Sequence, residues 1–245
     1  MPPRSLVTVR NGRSALQDRI LTVATDLFIR NGYKAVSFLA IAKELGVTHS
    51  NVHYYFKTKS DLAEAVLNAY VAGTVADFES IWTTEDADLL SRFVQSRDWI
   101  WRQYVRFNPG GVGGQNWGLL ARFASEAEML TPAMRQCIGR TLSKMDSLIG
   151  VGIDFAVRCG ELSSDVPRHA LVLQISSLLH TSRHLTRIEG NFERLDELLR
   201  WTLDVVMRAY GSDRAGRAWP PAVAPSRDPS TRKPRQQRTE SPLRA

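Results

Sequence analysis

Residues 37–56 read SFLAIAKELGVTHSNVHYYF, and this stretch decides the fold. Ser37 suits a helix N-cap, because its hydroxyl accepts a hydrogen bond from an amide of the first turn. Ile41, Ala42 and Leu45 then fall on one face at helical spacing. Gly46 ends that helix, since a tight turn here needs a positive φ that glycine adopts without strain. Thr48 caps the next helix, whose Val52 and Phe56, four apart, face the same core. Two short helices joined by Gly46-Val47-Thr48 form a helix-turn-helix. The second helix is left with His49, Ser50, Asn51, His53 and Tyr54 outside. A helix of that kind fits the DNA major groove with its N-terminal residues nearest the base edges.

Upstream, Ile20, Leu21, Ala24, Leu27 and Phe28 stripe a helix that Asn31-Gly32 ends. Downstream, Thr58-Lys59-Ser60-Asp61 has the form of a capping box, with Asp in place of the usual Glu, and opens a helix to about Trp82. Further helices are expected over about 88–107, from near Asn116 to Leu130, from Thr131-Pro132 to near Gly160, from Asp165 to about Gly190, and from about Phe192 to Gly211. Asn108-Pro109-Gly110-Gly111-Val112-Gly113-Gly114 reads as a loop. Alternating strand patterns are absent. The fold class is therefore all-α: an N-terminal three-helix head carrying the helix-turn-helix, followed by a longer helical body.

Charge divides the chain in the same places. The net charge of +7 splits into +6 over residues 1–60, −4 over 61–211 and +5 over 212–245. A basic head on an acidic body points to a polyanionic partner for the head. Four segments follow: a flexible basic arm (1–13) with Arg4, Arg10 and Arg13, the head (14–60), the body (61–211), and a basic tail (212–245). The tail is rich in Pro, Arg and Ser and short of aliphatics, so it cannot fold alone and is expected to be disordered. Its segment 232–238 (RKPRQQR) is either a nonspecific DNA contact or a solvated run. No apolar run is long enough for a membrane helix, and the N-terminus lacks a signal-peptide core. Two cysteines, Cys137 and Cys159, exclude a disulfide scaffold and fit a reduced, cytoplasmic chain with both thiols in or near the core. No P-loop, GxSxG, HExxH or strand-linked GxGxxG occurs, so no enzyme and no cofactor is expected. His180 and His184, four apart, lack a third ligand, so no metal is expected either.

The run from Ile20 to Leu67 resembles the DNA-binding domain of the TetR family of bacterial transcriptional regulators. Ile20-Leu21, Ala24, Leu27-Phe28, Gly32-Tyr33, Ser37, Ile41-Ala42, Gly46-Val47-Thr48, Tyr54-Tyr55-Phe56 and Lys59 with Leu62 carry the likeness. The resemblance implies DNA contacts from Thr48, His49, Ser50, Asn51, His53, Tyr54, Tyr55 and Lys59. Position 53 departs from the family's usual Tyr, and a His there, able to gain a proton, is expected to give affinity only a weak dependence on pH. Leu39-Ala40 stand where some members place a polar base contact, which leaves base readout to the second helix. The resemblance further implies a homodimer on a palindromic operator, paired through the last two helices. Ile175, Leu178, Leu179, Leu195, Leu198, Thr202 and Val205 are the candidate interface; the same stripes can also pack within one chain. It implies a repressor released by a small-molecule effector, with an activator or dual regulator of the same fold as the alternative. Trp82, Trp101, Tyr104, Trp117, Phe123 and His180 are the candidate effector-binding residues, although aromatics at this spacing also serve as ordinary core. Members that sense electrophiles carry a reactive Cys near the position of Asn116-Trp117 here, so thiol sensing of that type is not expected.

Overall fold

The computed structural model describes residues 10–212 and 219–221. Among them nine α-helices follow one another: α1 (Arg10–Ala35), α2 (Phe38–Leu45), α3 (His49–Tyr55), α4 (Lys59–Trp82), α5 (Leu89–Phe107), α6 (Leu119–Ala124), α7 (Pro132–Arg158), α8 (Arg168–Glu189) and α9 (Glu193–Tyr210). Extended pairing among the described residues is limited to one isolated bridge, Leu162 to Gly211, which ties the α7–α8 turn to the end of α9. No helix among them is long and apolar enough to cross a membrane.

Helix starts follow the caps read from sequence. Ser37, Thr48, Thr58 and Thr131 each accept a hydrogen bond from a first-turn amide through the side chain, and Asp88, not read as a cap from the sequence, does the same for α5. Thr58 and Asp61 close the capping box from both sides. Three boundaries differ from expectation. Helix α1 begins at Arg10, so residues 10–13 belong to it and not to an arm. Asp165 does not open α8; its carboxylate is taken by the hydroxyl of Ser163, and the helix starts after Pro167. The expected helix from Asn116 to Leu130 is only a short α6 and a 3-10 turn over Ala127–Met129.

Helices α1, α2 and α3 close over Ile20, Ala24, Phe28, Ile41, Ala42, Val52 and Phe56, all buried. Helix α4 runs on into the body and packs on both α1 and α7. The glycine-rich loop is held tightly. Asn108 bridges it by accepting from the Gln115 amide at 2.8 Å, and Gly113 donates to the Gly190 carbonyl at 2.7 Å. Glycine is required at 111 and 114, because a Cβ there would meet the Trp101 ring at 2.4 Å and the Arg187 carbonyl at 2.8 Å.

Two arginines are fully inside the body. Arg92 caps the end of α4 by donating to the carbonyls of Ile81 (3.0 Å) and Thr84 (2.7 Å). Arg97 pairs with Asp98 and Asp196 and donates to the carbonyls of Pro220 and Pro221. Trp219 lies over the Arg97 guanidinium and donates to Asp196. Residues 219–221 of the expected disordered tail are thus docked on the body; the buried cation supplies the partner that the tail's own composition lacks. Arg4 and the run Arg232 to Arg238 lie outside the described residues.

Candidate nucleic-acid interface

The α2–α3 turn is built by local hydrogen bonds. Gly46 sits in the left-handed region (φ 66°, ψ 32°) and its amide donates back to α2. Val47 donates to the Ala42 carbonyl at 3.0 Å, which fixes the angle between the helices. Val52 is wholly buried on the inner face of α3. His49, Ser50, Asn51, His53 and Tyr54 are exposed on the outer face, so the structure brings together the face that the sequence singled out.

Within that face the side chains are not equivalent. Asn51 Oδ1 accepts from the Thr48 amide at 3.1 Å and from the Thr48 hydroxyl at 2.6 Å, and the Asn51 amide donates back to the Thr48 oxygen. This capping box occupies the acceptor half of Asn51. Its side-chain NH2 is left over as a donor. Tyr55 is half-buried, against the exposed Tyr54 whose ring it meets edge-on at 5.3 Å.

His49 and His53 stand 5.9 Å apart between ring centroids, and Phe38 of α2 closes the triangle at 6.0 and 5.6 Å. Lys34, Lys57 and Lys59 border a shallow depression with both imidazoles, and Lys57 also borders a second one with Ser50 and Tyr54. Ammonium and imidazole donors around shallow depressions suit phosphate oxygens. Lys57 was missed in the sequence reading; its place in the turn directly after Phe56 was the available signal.

Lys59 is less free than expected. Its ammonium donates to the Lys34 carbonyl at 3.0 Å and lies 4.7 Å over the Tyr33 ring. Burial pulls its pKa below the ordinary lysine value, against the opposing pull of Glu126. It closes the break in α1 at Gly32 while still bordering the interface.

The family of bacterial regulatory proteins designated tetR matches residues 20–66. The HTH-type transcriptional regulator QacR of Staphylococcus aureus is 45% identical over 53 residues, which cover 22% of this chain and 28% of QacR. An HTH-type transcriptional regulator in the lacX 3′ region of Lactococcus lactis is 22% identical over 189 residues, 73% of this chain and 90% of that protein. A solved regulator of Saccharomonospora viridis in complex with choline superposes with a TM-score of 0.64 at 22% identity, over 81% of this chain and 99% of that one. The helix-turn-helix head of this chain thus matches the tetR family of bacterial regulatory proteins over residues 20–66, and its described helices share the fold of that solved regulator.

In the body that follows this tetR-like head the expected effector-binding residues divide. Trp82, Tyr104, Trp117 and Phe123 are buried and Trp101 is half-buried against Phe192. Tyr104 donates to the Gly113 carbonyl at 2.8 Å, and Trp117 donates to the Thr186 hydroxyl at 2.9 Å. Phe123 lies between Phe28 and Tyr33 of α1 and so joins body to head. None of the six borders the cavity of about 420 Å³ that lies between the α4–α5 turn, the end of α7 and α9. Asp86, Asp88, Glu161 and Asp204 border that cavity with Phe155 and Met207. Glu161 accepts from the Leu89 amide, and burial raises its pKa. Cys159 opens onto it and is exposed, not in the core as expected.

His180 hydrogen-bonds with Ser176, whose hydroxyl donates to Asp146 of α7. His184, one turn on, is exposed. Among the described residues no group of three or more His, Cys, Asp or Glu side chains is placed to hold a metal.

The expected interface residues also split. Ile175, Leu179 and Leu195 are buried within the single chain, while Leu178 and Thr202 are intermediate. Leu198 and Val205 are exposed on α9, with Trp201 between them.

Proposed function

We propose that the chain is a sequence-specific DNA-binding regulator that acts as a homodimer on a palindromic operator. It is a repressor that leaves the operator when a small molecule binds the body. The supporting observation is the outer face of α3: exposed His49, Ser50, His53 and Tyr54 beside Lys34, Lys57 and Lys59, over a core closed by Val52 and Phe56. On this reading residues 14–60 read DNA and 61–211 dimerise and take the effector. His49, Ser50 and the amide of Asn51 read bases; Thr48, His53, Tyr54, Tyr55, Lys57 and Lys59 contact backbone. Two heads are needed because one helix-turn-helix spans only a few base pairs. The Saccharomonospora viridis relative was solved with choline bound, which supports a body that takes small molecules. An effector acts by favouring one spacing of the heads, and only by its difference in affinity for the two states.

Selection of bound sequences from a random DNA pool by the full-length protein, at about 150 mM salt, tests this reading. A recovered palindrome is expected. Binding with no sequence preference that weakens steeply with salt would instead mean purely electrostatic association.

A further inference from the structure

We propose that residues 219–221 are a strap that locks α9 to α5, and through α5 to the head, and so fixes the spacing of the two heads in a dimer. The inference rests on the dimeric operator reading above and names an element that transmits geometry within it.

The strap is seated on Arg97 of α5, which is 1% exposed. Arg97 donates to the Pro220 carbonyl at 2.5 Å and to the Pro221 carbonyl at 3.3 Å. The Trp219 ring lies 5.2 Å from the guanidinium, and its Nε1–H donates to the Asp196 carboxylate at 3.2 Å. Asp196 stands in the first turn of α9, so the three residues touch both helices at once. The residue types suit this seat. A guanidinium fork can bond carbonyls along its edge while its face takes an aromatic ring. Two prolines bring no N–H that docking would leave unpaired, and their fixed φ lowers the entropy lost when the strap is ordered. Proline also disfavours the helical conformation for the residue before it, which keeps Trp219 from continuing a helix.

Each helix that the strap joins leads somewhere. On α9, Asp196 is followed by the exposed strip of Leu198, Trp201 and Val205. On α5, Arg106 pairs with Asp26 of α1 at 2.6 Å, and Arg30 of α1 lies 5.5 Å over the Phe107 ring. The same α5 thus holds the strap in its middle and the head at its end. Trp101 meets Phe192, just before α9, at 5.0 Å, so the strap reinforces a contact between the two helices. Without it, the Arg97 fork loses two acceptors and Asp196 loses the indole donor. Helix α9 can then shift against α5, and the exposed strip shifts against the head.

The test compares the full-length protein with Trp219→Ala, Trp219→Phe and a chain ended after Pro225. It reads thermal melting, and affinity for the palindromic duplex recovered in the selection above against a duplex carrying one half-site. Trp219→Ala is expected to melt at least about 3 °C lower and to lose at least about tenfold of the preference for the palindrome. Trp219→Phe keeps a ring over Arg97 without the Nε1 donor and is expected to fall between. Ending the chain after Pro225 removes six Lys/Arg and two Asp/Glu but keeps the strap, so melting and preference are both expected to stay. In Arg97→Lys, which lacks the planar fork, the further cost of Trp219→Ala is expected to be small. Trp219→Ala that melts like the parent, or that costs as much in Arg97→Lys as in the parent, would overturn the strap. Loss of preference in the chain ended after Pro225 would do so too, by assigning the tail's action to its charge. Lower melting with an unchanged preference would leave a stabilising contact and sink the coupling to the heads. A parent with no preference for a palindrome would overturn the dimeric reading and the coupling with it, while the melting comparison still decides the strap.

Discussion

Asn51 accepts twice from Thr48, so replacing it with alanine removes a cap before it removes a DNA contact. Asn51→Ala is expected to cost about 1 kcal/mol and to lower the melting temperature by about 2–4 °C. With the side-chain NH2 left over as a base donor, the consensus recovered from the random pool should also relax at one position in each half-site; an unchanged consensus would leave Asn51 the cap alone. The sequence shows a Thr and an Asn three apart, and that spacing equally serves a cap and a groove contact. Only the carbonyl's direction decides between them, and it is set by χ angles that no pattern of residue types encodes. His180 is a second case. Burial lowers its pKa, and Arg183 lowers it further against the pull of Asp146. A histidine held below its unfolded value contributes stability above that value, near pH 6.5, which is lost as pH falls through the lower folded pKa. Melting temperature should therefore drop on acidification below about pH 6.5, and His180→Gln should flatten that part of the profile. An unchanged profile in the variant would assign the acid sensitivity to other groups. The spacing of His180 and His184 was visible in sequence; the Asp146–Ser176–His180 chain was not, because it joins two helices thirty residues apart.

At the scale of elements, the short α6 is where body meets head. Arg122 donates to the Asn31 carbonyl at 3.0 Å, and Glu126 accepts from the Tyr33 amide at 2.5 Å. Between them lies Gly32 (φ 83°, ψ 171°), whose missing Cβ would sit 2.2 Å from the Arg122 guanidinium and 2.4 Å from the Glu126 carboxylate. Gly32→Ala thus meets a positive φ and a clash together. It is expected to cost more than about 1 kcal/mol, by thermal melting. Glu126→Gln keeps the shape, weakens acceptance from Tyr33 and removes the charge facing Lys59, so a smaller loss is expected. If Gly32→Ala melts like the parent, the junction is looser than drawn and carries no coupling between body and head. The break itself was legible, because Asn-Gly after a full apolar stripe is a stop signal. Capped starts at Ser37, Thr48, Thr58 and Thr131 were legible for the same reason: a cap is local. Helix α6 was overestimated because Leu119, Leu120 and Phe123 read as a stripe that goes on. The chain instead leaves the helix at Ser125, and the following turn aims Glu126 at the head. Tertiary bonding to a distant amide overrode local propensity there.

For the molecule as a whole, the open question is which apolar surface one chain hides and which it leaves for another. Local periodicity cannot answer it, because a helix stripe wide enough to reach two partners looks the same as one facing a single core. Hence Ile175, Leu179 and Leu195, expected at an interface, are consumed inside the chain. The docked Trp219 was invisible for a related reason: its partners Arg97 and Asp196 lie in α5 and α9, far along the sequence. What remains outside on α9 is Leu198, Trp201 and Val205, three, four and seven residues apart and so on one face. Trp201 is 45% exposed and Val205 55% exposed. On the dimeric reading this face is covered by its mate. An exposed large aromatic at the centre of an apolar strip is the kind of residue that dominates association energy. Trp201→Glu is therefore expected to shift the full-length protein from dimer to monomer in light scattering, with at most a small change in the helical signal. Binding to a full palindrome should then fall toward that of a half-site, since the second head no longer arrives with the first. A variant that stays dimeric would move the interface off α9, to the outer face of α8 where Leu173 and Ile188 are also exposed. A monomer that still binds the palindrome as tightly as the parent would mean that DNA itself, and not the body, brings the two heads together.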